Sequence, residues 1–109
     1  MTKFMAIYTG TPNAQMPDEA TIGKGMAAWT AWMQNHAAHI VEAGGPLGKT
    51  KRVTKAGVAD ARNNIAAYVV VEAAHQDAAA AMFENHPHFA IFPGDGVDVM
   101  PCLPIPGQG

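Results

Sequence analysis

The run from Ile65 to Glu72, Ile-Ala-Ala-Tyr-Val-Val-Val-Glu, constrains the fold more than any other stretch of the chain. A strand that hides one face and wets the other alternates apolar with polar residues. Here Ile65, Ala67, Val69 and Val71 occupy one parity while Ala66, Tyr68 and Val70 occupy the other. Both faces of such a strand need cover. Lys3 to Thr9 reads as a first strand with the same property, ending at the turn composition of Gly10-Thr-Pro-Asn. Val97 to Ile105 reads as a last one, in which Val97, Val99 and Leu103 oppose Met100 and Cys102. Pro101 and Pro104 donate nothing to a ladder, so the later part of that strand belongs at a sheet edge or leaves the sheet.

Between these strands the spacing changes. Residues 13 to 17 read as a loop, and Asp18-Glu19 place negative charge where a helix N-terminus favours it. Met26 to Ala43 carries the strongest helical pattern: at 100° steps Ile22, Met26, Trp29, Met33, Ala37 and Ile40 fall within about 40° of one line, with Trp32, His36 and His39 along one flank. Gly44-Gly45 is a suitable C-cap, and Pro46 blocks continuation. Leu47 to Thr54 reads as a short strand, 55 to 57 as a turn, and Val58 to Asn64 as the connection into the central run. Strands two and three then form an antiparallel pair. Ala73 to Asn85 is a second helix closed by Pro87, and the tail from Pro106 to Gly109 is loose.

The order strand, helix, strand, strand, helix, strand is that of a ferredoxin-like α+β protomer, a βαββαβ antiparallel sheet with both helices on one face. Two helices cover one face only. At about 25 cal/mol per Å² the apolar outer face rewards association, so the chain is expected to pair with itself as a homodimer through its sheets. At 109 residues the sequence spans one domain, residues 1–109. A net charge of -2 gives no electrostatic case for nucleic acid or an anionic membrane, and Lys49, Lys51, Arg52 and Lys55 read as a solvated strand and turn. Cys102, the lone cysteine, makes no disulfide framework and suits a reducing compartment. No secretory signal or run of about 18 apolar residues is present, so a cytoplasmic location is expected.

Imidazole trades a proton near neutral pH, which makes the histidines the chemical candidates. His36 borders the buried stripe and His86 precedes Pro87 at the turn into the last strand, so these two are the candidate proton-transfer groups. Trp32, Met33, His39, Tyr68 and His88 are candidates for lining a pocket that holds a small apolar or aromatic molecule. Four of these have a plainer role available: His36 bonded to a backbone carbonyl, His39 exposed, His86 capping the helix it follows, and Tyr68 bonded to backbone. His75 looks like surface, Asp98 points opposite to Val97 and Val99, and Asp95 is a turn former. His36-x-x-His39 and His86-x-His88 are metal-compatible pairs without a third ligand, so neither a metal nor another cofactor is expected.

The opening Lys-Phe-Met-Ala-Ile-Tyr, the segment Trp29 to Gly48 with Ala-Trp-Met and Ala-Gly-Gly-Pro-Leu-Gly, and the closing His86-Pro-His-Phe followed by Val97-Asp-Val-Met-Pro resemble the YCII-related (DGPF-domain) proteins of the dimeric α+β barrel superfamily. The resemblance implies a ferredoxin-like protomer, a dimeric α+β barrel joined through the sheets, and a cavity in each protomer between sheet and helices. The wider superfamily includes cofactor-free oxygenases, lactone isomerases and haem enzymes. Closer members carry Asp-Pro where this chain has His86-Pro87, and the Asp-Gly-Pro-Phe motif of some relatives is missing. Two functions are therefore in view: a cofactor-independent enzyme in which His36 or His86 moves a proton, and a non-catalytic homodimeric module that binds a ligand or a protein.

Overall fold

Asp18 opens the first helix as its N-cap, accepting from the Thr21 N–H at 2.8 Å. That bond holds the exposed Asp18 carboxyl below its ordinary pKa. The chain runs β1 (Thr2–Gly10), α1 (Glu19–Asn35), a 3-10 turn (Ala37–His39), β2 (Ile40–Pro46), β3 (Thr50–Thr54), β4 (Gly57–Ala61), β5 (Ile65–Ala73), α2 (Gln76–Ala81), α3 (Pro87–Ala90) and β6 (Gly94–Pro101). The structure, a computed structural model, describes residues 1–11 and 15–107. The loop expected from 13 and the tail expected to 109 therefore lie partly outside the described residues. No helix among the described residues is long and apolar enough to cross a membrane.

Strand order in the main sheet is β2-β5-β1-β6, with every pairing antiparallel, which makes the protomer a ferredoxin-like α+β fold. The central run becomes β5, flanked by β1 and β2, and its parities separate as the pleat requires. Val69, Val71 and Ala73 are buried on the helix side together with Phe4, Ala6 and Tyr8 of β1. Trp32 of α1, Ala79 of α2 and Phe83 complete that core. Trp32 is pinned at its polar end as well, its Nε1–H donating to the Met82 carbonyl at 2.7 Å. Trp32→Phe removes the donor and strands that carbonyl, so a loss of about 1–3 kcal/mol in urea unfolding is expected.

The other parity faces away from the helices. Met5 and Ile7 of β1 and Val70 of β5 are half-buried there, and Met100 of β6 is 41% exposed. Glu42, Glu72 and Asp98 share this open face, as the pairings Glu42↔Val70, Lys3↔Glu72 and Ile7↔Asp98 require. β6 lies at the sheet edge and its ladder ends at Pro101, as the two prolines demand.

The second strand is not where the spacing puts it. α1 stops at Asn35 rather than Ala43, and residues 40–46, expected as the helix end and its cap, form β2 against β5. Gly44 is not a C-cap but a break in the β2–β5 register, at φ +64 with the Tyr68 carbonyl in the space a Cβ would need. The expected strand over 47–54 contributes β3, which pairs with β4 as a separate two-stranded hairpin outside the main sheet. The face of α1 is also rotated from the expected line. Gly25 and Trp32 are its buried residues and Met26 is 56% exposed. Gly25 is selected because the Phe92 ring occupies the space a methyl would need.

Candidate functional site

The second helical region ends earlier than its composition predicts, and this places the histidines. α2 stops at Ala81, turns follow, and Asn85 takes a left-handed φ of 56, a conformation asparagine tolerates better than most residues. The chain thereby enters α3 with Pro87 at its first position. Pro87 opens a helix here instead of closing one, because its missing N–H costs nothing at that end. His86 is the N-cap of α3 and accepts the His88 N–H at Nδ1, 2.9 Å away. The expected role, in which His86 caps the C-terminus of the preceding helix as a donor, is therefore reversed.

His86 is fully buried, at 0% exposure. Its Nε2 lies 3.2 Å from the Tyr8 hydroxyl, and its ring sits 4.6 Å from that of Trp29 and 4.7 Å from that of Trp32, both edge-on. Since Nδ1 is occupied as an acceptor, the single proton of the neutral ring resides on Nε2 and is donated to Tyr8 Oη. Burial, and after it the neighbouring His88 and His36 imidazoles, push the His86 pKa down to about 4, so the ring is neutral at ordinary pH. Burial likewise pushes the Tyr8 phenol well above its usual range and keeps it protonated. With Oη accepting from His86, the phenol proton remains available for another oxygen.

His88 is buried beside this pair and donates from Nε2 to the Thr9 carbonyl at 2.6 Å, fixing α3 to β1. Gly94 sits so close to His88 that a methyl there would strike both its ring and its carbonyl. His36 caps the end of α1, stacks on Trp32 with centroids 4.7 Å apart, and donates from Nδ1 to the Trp32 carbonyl at 2.9 Å. With Nδ1 used in that bond, Nε2 is the ring nitrogen left free for another partner, on a half-exposed side chain at the rim of the cluster.

The fold thus gathers His36, His86, His88 and Trp32, with Met33 packed against the same core. It does not gather the other two candidates. His39 is half-buried rather than exposed and donates to the Glu72 carbonyl at 3.1 Å, further along the sheet. Tyr68 lies on the open face, its hydroxyl donating 2.6 Å to Glu42 Oε1 rather than to backbone, on the side of the sheet opposite the helices. Tyr8 and Trp29 occupy the position expected of it. His75 is exposed, and its Nδ1 accepts the Ala78 N–H as the N-cap of α2. Among the described residues no three histidine, cysteine or carboxylate side chains are grouped to hold a metal. Two open clefts lie elsewhere, one of about 940 Å³ beside Lys49, Lys51, Arg62 and Ile65, the other of about 300 Å³ beside Phe83, Phe89 and Val97. Neither is lined by a histidine.

No protein-family model and no curated protein sequence matches the chain. Among solved structures it is similar to 5-chloro-2-hydroxyhydroquinone dehydrochlorinase from Burkholderia phenoliruptrix AC1100, determined in complex with 2,5-dihydroxybenzoquinone. That match has a TM-score of 0.56 at 19% identity and covers 90% of each chain. The likeness shows a shared fold, an α+β chain with a ferredoxin-like antiparallel sheet.

Proposed function

We propose that this chain is a small cofactor-independent enzyme that shifts a proton on an oxygenated ring compound of hydroxyquinone type, working in the cytoplasm as a homodimer joined through the open sheet faces. One observation carries the reading: a buried phenol, Tyr8, held by a neutral imidazole that donates to it, beside a second imidazole whose free nitrogen is at the rim. Tyr8 is 2% exposed and lines neither cleft, so the cluster must open to admit a substrate. Tyr8 then donates to a ring oxygen of that substrate, and His86 positions Tyr8. His36 Nε2 takes the proton from the substrate and returns it to another atom of the same ring. Charge developing on the oxygen is met by a donor already in place, which is the favourable way to lower such a barrier. His86 is the poorer base, because protonating Nδ1 breaks its bond from the His88 N–H. The fold shared with an enzyme bound to a dihydroxybenzoquinone supports the substrate class.

A non-catalytic binding module is the second reading. It is favoured by the contacts of all five histidines with backbone groups and by the complete burial of His86. Under that reading the same cluster is a folding element. Isotope exchange separates the two. With 2,5-dihydroxybenzoquinone in deuterated buffer, the enzyme reading expects catalysed exchange of a ring proton that falls by about 100-fold or more in His36→Gln, the usual weight of a general base. Calorimetric affinity is expected to fall by up to about tenfold in Tyr8→Phe, the worth of one hydrogen bond. Binding without exchange supports the module instead, and neither binding nor exchange removes the proposed substrate class.

A further inference from the structure

The charges of this chain are segregated. Between positions 49 and 62 stand five cations, Lys49, Lys51, Arg52, Lys55 and Arg62, against the single acid Asp60, whereas the rest of the chain holds two cations and eight acids. β3 and β4 carry most of this positive charge on a hairpin that pairs with no strand of the main sheet. Every residue from 51 to 60 is exposed. A lone two-stranded hairpin is marginal in water, and this one leaves the cross-strand pair Val53 and Val58 73% and 68% exposed. Its one ion pair among the described residues, Lys51 with Asp60, lies one step along on the same face as that pair. The remaining cations have no such partner in the hairpin.

The open face of the main sheet has the opposite character. Glu42, Glu72 and Asp98 stand around Met5, Ile7 and Val70, with Lys3 the cation among them. We infer that the hairpin of one copy lies along the open sheet face of a second copy, Val53 and Val58 against its apolar centre and the hairpin cations beside its acids. The inference rests on the homodimer proposed above and deepens it, because each protomer then supplies part of the cover for the other's sheet. Apolar burial holds such a contact together, and complementary charge sets its register and speed of formation.

Sedimentation equilibrium on three proteins tests it. Lys49→Glu/Lys55→Glu alters only exposed positions flanking β3 and leaves Arg52, which lies on the opposite face from Val53 and Val58, untouched; circular dichroism checks that it is folded. It is expected to raise the dimer dissociation constant at least about tenfold, the size of effect that two reversed charges give. Glu72→Lys/Asp98→Lys is expected to do the same from the other side, and mixing the two variants to restore a heterodimer. An unchanged dissociation constant in the hairpin variant, or a mixture that stays dissociated, overturns the hairpin contact while leaving the homodimer standing. A wild-type chain that is monomeric throughout overturns both. Binding of a short DNA duplex that is lost in the hairpin variant while dimerisation is unchanged assigns the hairpin to a polyanion instead and overturns the contact.

Discussion

Gly44→Ala is expected to destabilise the protein by about 3–5 kcal/mol. Two effects add at this position. The left-handed φ of +64 costs an alanine about 1–2 kcal/mol, and its methyl collides with the Tyr68 carbonyl, a backbone atom of the central strand that cannot step aside cheaply. Relief requires β2 to move away from β5, loosening the antiparallel pair that completes the sheet. The next residue is the control, since a Cβ added at Gly45 meets nothing within 4 Å. Gly45→Ala is expected to change stability by less than about 1 kcal/mol. Urea unfolding of the two variants checks the pair, and equal losses contradict the assignment of Gly44 to the register break.

Acidification is expected to remove about 3 kcal/mol through His86 alone. Its pKa is about 4 in the folded chain, against an ordinary value of 6.5. Between those limits the unfolded chain binds the extra proton, so stability falls as pH falls, by up to about 1.4 kcal/mol per unit. The contribution is intact above pH 6.5 and gone once pH drops through about 4. His86→Asn keeps an acceptor for the His88 N–H and does not titrate. Its unfolding free energy is expected to lack this slope, and slopes that coincide over the window contradict a buried neutral imidazole.

How much of this was legible depends on which residues carry a unique physical signature. Period-two alternation sorts β5 by itself: Val69 and Val71 inward, Tyr68 outward with Glu42. Strict use of that rule separates Tyr68 from a pocket under the helices. Asp18 as a cap and the prolines as an edge signal are equally local. Gly44-Gly45-Pro46 has no unique signature, because a helix C-cap and a strand bulge both select a glycine at positive φ. Only the tertiary pairing of Ile40 and Glu42 with β5 decides between them. Pro87 is ambiguous in the same way, blocking a helix from one side and starting one from the other. Tyr8 belongs to no motif, and its importance arises from His86, 78 positions away in sequence.

Nitrogen-15 NMR of the imidazole side chains tests the central claim most directly. The account predicts that His86 is neutral with its proton on Nε2, does not titrate above pH 5 as a group with a pKa of about 4 must behave, and shifts with His36 when 2,5-dihydroxybenzoquinone is added, while His75 stays unmoved. A His86 ring that titrates near 6.5, or one protonated on Nδ1, contradicts the donor arrangement on Tyr8. A His86 signal indifferent to the quinone while other parts of the protein respond removes the cluster from the ligand site.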